Sequence, residues 1–190
     1  MSPSDNLYEV PEGIPAPLDD GACDHPPGMP LPFVSQRSTS GELVDLSALA
    51  GTTVGYCYPL TGRPYRGLPE GWDETPGAHG CSPQSGAFRG HHAELQTLGV
   101  RVFGLNTQDT GYQREAAERL QLPFALLNDE KLEFAGALNL PTLDQEGKIF
   151  IRCLTLLIED GRIEGGFYPV FPPGKNAEEM LECLSERIAS

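Results

Sequence analysis

Basic residues are scarce in this chain: 13 lysines and arginines stand against 27 aspartates and glutamates over 190 residues, a formal charge of -14. Such a field repels phosphate backbones and anionic head groups, which excludes nucleic acid and membrane surfaces as partners. No apolar run is long enough to span a bilayer, and the N-terminus lacks a basic region followed by an apolar stretch, so neither a membrane span nor export is expected. Also missing are a Cys-x-x-Cys pair and any finger-like spacing: the five cysteines, at 23, 57, 81, 153 and 183, are an odd number and lie far apart. A reducing, cytoplasmic location with at least one reactive or buried free thiol fits that pattern. His25, His79, His91 and His92 do not combine with Cys81 into a metal set, because only His91 and His92 are adjacent and neighbouring helical side chains diverge. No metal or organic cofactor is expected.

What is present is apolar content of 39%, enough for one substantial core. Residues 1–30 hold six acidic side chains, seven prolines and no lysine or arginine, and read as an extended acidic, proline-rich arm, either wrapped on the domain or mobile. Residues 31–190 form the domain. Leu43, Leu46 and Leu49 alternate with polar residues, and Thr52 to Tyr58 reads as a buried strand. From Pro59 to Gly80 the chain carries four prolines, five glycines and its only tryptophan, Trp72, which predicts a long loop built of turns.

Ser82-Pro83 predicts a helix start with Ser82 as cap, the helix running to about Thr97 with Phe88, His91, Leu95 and Leu98 inward. A strand over residues 100–105 follows. Thr110 with Gln113 predicts a capped helix striped by Tyr112, Ala116 and Leu120. A short strand at 124–127, a short helix at 131–138, and strands at 149–158 and 162–167 turning at Asp160-Gly161 come next. The last helix begins at Asn176 and points Met180, Leu184 and Ile188 inward. Strands alternating with helices, closed by a hairpin and a helix, predict an α/β fold with helices on both faces of one sheet.

The thiolate is the nucleophilic form of sulfur, so the reactive cysteine is the one whose surroundings favour an anion. Cys81 lies just before the Ser82-Pro83 helix start, where unbonded N–H groups and the positive end of the helix dipole meet it. Gly77 and Gly80 leave room for a small substrate, and His79 sits two residues away as a solvated side chain or a second donor.

The run Gly80-Cys81-Ser82-Pro83-Gln84-Ser85-Gly86-Ala87-Phe88-Arg89, continued through Leu98-Gly99-Val100 to Leu105, resembles the peroxidatic segment of peroxiredoxins. It is most similar to the bacterioferritin-comigratory (Q-type) branch of the alkyl hydroperoxide reductase–thiol-specific antioxidant family. Tyr58-Pro59, Leu122-Pro123-Phe124 to Glu130 and the strand before Asp160-Gly161 extend the likeness from about Pro32 to the last helix. The resemblance implies a thioredoxin-like fold with a central mixed sheet, a Cys81 sulfenic acid formed by peroxide, and an active-site arginine at Arg152, nine residues before Gly161. It implies hydrogen peroxide or organic hydroperoxides as substrate, a thiol reductant such as a thioredoxin or glutaredoxin system, and a monomer or homodimer.

Two departures stand out. The family's Pro-x-x-x-Thr-x-x-Cys motif begins at Pro59, but Ala78 occupies the threonine position and a long insertion separates Pro59 from Cys81. Thr75, His79 and Ser82 are the candidates to replace the missing donor. Gly86 stands where many Q-type relatives carry a resolving cysteine, so an external thiol or another cysteine must recycle Cys81. Cys57 is nearest in topology, although its setting reads as core, and Cys153, following Arg152, is expected on the sheet face away from Cys81. Trp72 and Tyr65 either line the substrate approach or pin the loop. The competing reading is a thioredoxin-like redox-sensing or binding module without efficient peroxidase activity.

Overall fold

The computed structural model describes residues 16–62, 67–75, 78 and 81–189. Its framework is nine strands and five α-helices among these residues. β1 (Ser35–Arg37) pairs antiparallel with β2 (Leu43–Asp45). The central sheet holds β3 (Thr52–Cys57), β4 (Arg101–Asn106), β5 (Leu126–Asn128), β8 (Leu154–Glu159) and β9 (Arg162–Phe167), in the order β5-β4-β3-β8-β9. β3, β4 and β5 run parallel, whereas β8 lies antiparallel to β3 and β9 antiparallel to β8. The sheet is therefore mixed, as expected.

Two hydrophobic clusters cover its faces. Val54, Tyr56, Val102 and Leu157 look towards α1 (Cys81–Gly90), α2 (His92–Thr97) and α5 (Asn176–Ala189), meeting Phe88, Leu95, Met180 and Leu184. Cys57, Leu105, Leu127, Leu154, Leu156 and Ile158 look the other way, where α4 (Glu133–Ala137) brings Phe134 and Ala135. The two-residue alternation of side chains along each strand produces this division. α3 (Thr110–Arg119) lies beside β5, held by Gln113 donating to the Leu127 carbonyl.

Several local expectations need correction. The helix starting near Ser82 begins at Cys81 and breaks at Gly90-His91, so His91 turns to Glu94 rather than inward. Asp109, not Thr110, caps α3: Thr110 is already the first helical residue, and the Asp109 carboxylate accepts from the Tyr112 amide. Ile188, expected inward, is 63% exposed, and the buried face of α5 ends at Leu184. The strand expected over 149–158 is two strands: β7 (Lys148–Ile151) pairs with β6 (Thr142–Gln145), a strand the pattern did not reveal, and the chain leaves this hairpin at Arg152-Cys153 before entering β8. The Asp160-Gly161 turn forms as expected, with φ of 47° and 77°, the left-handed pair that a tight hairpin needs.

The arm divides. Residues 1–15 lie outside the described residues, but the later part belongs to the domain: the Gly28 amide donates to the Ile163 carbonyl, Ile163 donates to Met29, and His25 Nε2 lies 2.8 Å from the Leu138 carbonyl. The arm thus follows β9 along its outer edge.

Candidate active site

Cys81 owes its position to a column of aromatic side chains. Tyr56 stands opposite Gly104 in the β3–β4 ladder, and a Cβ at Gly104 would come within 2.8 Å of the Tyr56 ring and 2.6 Å of Leu126. The bare glycine lets the ring lie down on the sheet. Phe88 then stacks on Tyr56 with centroids 4.7 Å apart, and the Tyr56 hydroxyl donates to Ser85 Oγ at 3.0 Å. Cys81, Ser85 and Phe88 fall at helical spacing on one face of α1, so the contacts that register Ser85 and Phe88 also press Cys81 against the sheet. Cys81 is 3% exposed, and its thiol is directed at the Ala78 carbonyl, 3.9 Å away.

The side chain that meets it is Cys153. Both belong to one buried cluster, and Cys81 is the group that acts most on the Cys153 thiol. Cys81 first, followed by burial, holds the Cys153 thiol well above the ordinary cysteine range, so Cys153 keeps its proton. The expectation that Cys153 faces away is therefore corrected. Counting back from β8, Cys153 shares a parity with Thr155 and Leu157, which face α1 and α5; Thr155 Oγ1 donates to Asn176 Oδ1 at 2.5 Å, and Gln84 of α1 donates to the same atom.

Arg152 has the opposite parity. Its Nε donates to the Thr142 carbonyl at 3.0 Å, and its charge acts on Asp20 of the arm and on Tyr168, which packs with the second cluster. Alternation between Arg152 and Cys153 holds as expected, but the cysteine occupies the Cys81 side.

The remaining candidates are distributed as follows. Ala78, at the threonine position, packs with Trp72, Leu143 and Phe150 in a small cluster of its own, where Trp72 meets Phe150 edge-on at 5.2 Å. Trp72 thus pins the long loop to the β6–β7 hairpin; Tyr65 lies outside the described residues. Thr75 Oγ1 donates to the Gly71 carbonyl and is committed to the loop. His79 lies outside the described residues. Ser82 is buried in the first turn of α1, and Pro59 is buried directly after the aromatic pair.

Cys57 lies on the second face, among Leu105 and Leu154, with its thiol pushed upward by burial first and then by Asp129. Its core reading holds, and the sheet separates it from Cys81. Cys23 packs beside the same second cluster, and burial together with Asp20, Asp19 and Asp24 pushes its thiol up to about 12.

One residue went unnoticed in the sequence. Tyr58 is fully buried in the Cys81 cluster, stacked at 5.6 Å on Tyr56, and its hydroxyl has no hydrogen-bond partner among the described residues. Burial first, and then Tyr56 and Cys81, keep that phenol protonated. The Tyr-Cys-Tyr alternation at 56–58 was the available signal, since it places both rings on one face and Cys57 on the other.

The sequence profile of the Redoxin family matches residues 26–181. The chain belongs to the Redoxin family. Peroxiredoxin Q, chloroplastic, of Oryza sativa subsp. japonica is 29% identical to this Redoxin chain over 158 residues, covering 83% of it and 65% of the rice protein. The chain thus spans slightly less than two thirds of that relative's length. A peroxiredoxin Q of Populus jackii is 28% identical, with 83% and 67% covered. Among solved structures, peroxidoxin BcpB of Mycobacterium tuberculosis superposes with a TM-score of 0.68 at 20% identity, covering 84% of this chain and 96% of that one. A mutant PrxQ of Xylella fastidiosa gives 0.69 at 19%, covering 85% and 96%. These likenesses establish the thioredoxin-like fold of this Redoxin chain.

Proposed function

We propose that this protein is a thiol-dependent peroxidase in which Cys81 is the attacking sulfur. The observation that carries this reading is the placement of Cys81 as the first residue of α1, pressed onto Tyr56 and Tyr58 and faced by the Cys153 thiol. Unbonded N–H groups of the first helical turn favour an anion at such a position. The Cys81 thiolate attacks the terminal peroxide oxygen, the S–O bond forms as the O–O bond breaks, and the departing alkoxide or hydroxide takes a proton to leave as alcohol or water. Cys81 becomes a sulfenic acid, which two thiol equivalents from a thioredoxin- or glutaredoxin-like reductant return to the thiol.

In this reading the Tyr58 hydroxyl supplies the donor that the family's threonine provides elsewhere, since it is buried in the same cluster and uncommitted among the described residues. Arg152 enters as the cation one residue from the sulfur pair, and it polarises peroxide on exchanging its contact with Thr142. Hydrogen peroxide and small organic hydroperoxides are the substrates proposed. Alkyl peroxide reduction is the activity ascribed to the bacterioferritin comigratory protein of Xanthomonas campestris, which is 20% identical to this chain with a TM-score of 0.65. A reducing compartment, the cytoplasm in the simplest case, suits the odd number and wide spacing of the five cysteines.

The test is peroxide consumption driven by dithiothreitol, with stopped-flow detection of the first oxidation. Cys81→Ser is expected to abolish consumption, whereas Cys23→Ser, Cys57→Ala and Cys183→Ser retain it. Unchanged activity in Cys81→Ser overturns the assignment. One observation favours the alternative of a slow redox-sensing module: Arg152 donates through Nε to the Thr142 carbonyl. A reaction no faster than that of free cysteine decides for the sensor.

A further inference from the structure

We propose that Cys153 is the resolving thiol, closing an internal disulfide with Cys81 after each oxidation. The inference rests on the peroxidase reading above, because it consumes the sulfenic acid that reading produces.

Placement singles out Cys153. Cys57 lies across the sheet in the second cluster, Cys23 packs beside that cluster, and Cys183 is half-buried on α5. Among the cysteines Cys153 alone shares the buried cluster of Cys81, on the same face of the sheet, and its thiol is influenced first of all by Cys81.

The backbone at both ends suits the bond. Cys81 is the first residue of its helix, and Cys153 lies in the break after β7 at Ile151 and before β8 at Leu154, outside the β3–β8 ladder. Bringing the two sulfurs to about 2.05 Å then needs adjustment at a helix end and a strand break, with the sheet left intact. Both sulfurs start within one buried cluster.

The order of events follows from the shared proton. While Cys81 is the thiolate of the proposed cycle, its influence and burial keep the proton on Cys153. Once Cys81 carries oxygen, that negative neighbour is gone and Cys153 releases its proton more readily. The Cys153 sulfur attacks the Cys81 sulfur, the S–S bond forms, and the S–O bond breaks. Hydroxide leaves and takes up the proton shed by Cys153, departing as water. The sulfenic sulfur is reduced as Cys153 is oxidised, and a dithiol reductant, itself oxidised to a disulfide, restores both thiols.

The test is peptide mapping and intact mass of the full-length wild-type protein under non-reducing conditions, in two arms. One arm adds a single equivalent of hydrogen peroxide with a dimedone-type sulfenic acid trap present; the other equilibrates the protein in an oxidised and reduced glutathione buffer. The expected result is a loss of two hydrogens, a Cys81–Cys153 linked peptide in both arms, and little trapped sulfenic acid. In Cys153→Ala the peroxide arm is expected to give Cys81 sulfenic acid, raising trapped adduct roughly tenfold or more. A wild-type protein whose Cys81 is oxidised by peroxide yet trapped by dimedone, or linked to any other cysteine, overturns the inference while leaving the peroxidase reading standing. A Cys81–Cys153 bond formed in glutathione with no reaction towards peroxide overturns the peroxidase reading, and the resolving step with it, while the redox pair itself survives. Because the decisive mapping uses the wild-type chain, it does not depend on a variant folding.

Discussion

Phe88 lies almost parallel to Tyr56, 10° between ring planes and 4.7 Å between centroids, and this stack ties the helix that begins at Cys81 to the central strand. Phe88→Ala removes a fully buried ring and leaves a cavity, expected to cost about 3–5 kcal/mol. Tyr56→Phe keeps the stack and loses only the hydrogen bond to Ser85, a cost of about 1 kcal/mol. Urea unfolding of both variants checks the ranking; equal losses would show that the ring stack is not the anchor.

Gly104→Ala tests the close approach beneath that stack. The added carbon lands 2.6 Å from Leu126 Cδ2 and 2.8 Å from the Tyr56 ring, both in the packed interior. Destabilisation of about 1–3 kcal/mol is expected from overpacking. A lower thermal midpoint, with slower Cys81 oxidation as Tyr56 and α1 shift, is the measurable outcome.

Trp72 is the only tryptophan and is 2% exposed, so intrinsic fluorescence reports on the long loop. Its emission is expected to be blue-shifted and protected from iodide quenching. Trp72→Ala removes the edge contact with Phe150 and the cover over Ala78, at about 3 kcal/mol. Limited proteolysis is then expected to cut first within residues 59–80.

Alkaline pH should weaken the fold. The Cys23 thiol is raised from an ordinary value of 9.0 to about 12, with burial as the main cause, and Tyr168 from 10.0 to about 12, again mainly by burial. Each group's folded value lies above its unfolded one, so the unfolded chain loses its proton first as pH rises. The associated stability is fully present below pH 9 and declines through about 12. Denaturant midpoints measured from pH 8 to 11 should fall, and Cys23→Ala should make the decline shallower.

Oxidation to the Cys81–Cys153 bond would close a loop of about 70 residues, worth roughly 4 kcal/mol in the chain-entropy treatment. The oxidised protein is expected to show a higher denaturant midpoint than the reduced one, and Cys153→Ala no such increase. A lower midpoint on oxidation would show that the bond forms only at the expense of native packing.

Much of the site was legible in the sequence because its signals are local. Ser82-Pro83 marks a helix start, glycines and prolines mark the loop, and Asp160-Gly161 marks the turn, all through the backbone preferences of single residues. What escaped was the break at Arg152-Cys153. An apolar run from Ile149 to Ile158 looks continuous, yet its first part pairs with Thr142–Gln145 and only the second joins β3. Alternation told that Arg152 and Cys153 point apart, but not which of them meets Cys81.

The amino-acid sequence by itself determined the class of the sheet, the cysteine at the helix start and the absence of a cysteine at Gly86, because these depend on periodicity and on neighbours within a few positions. The tertiary structure alone decided that Cys153 and Tyr58 share the buried cluster of Cys81 while Arg152 turns to Thr142. Which face of a strand meets which helix is set by packing between segments some seventy residues apart, and no local preference encodes it.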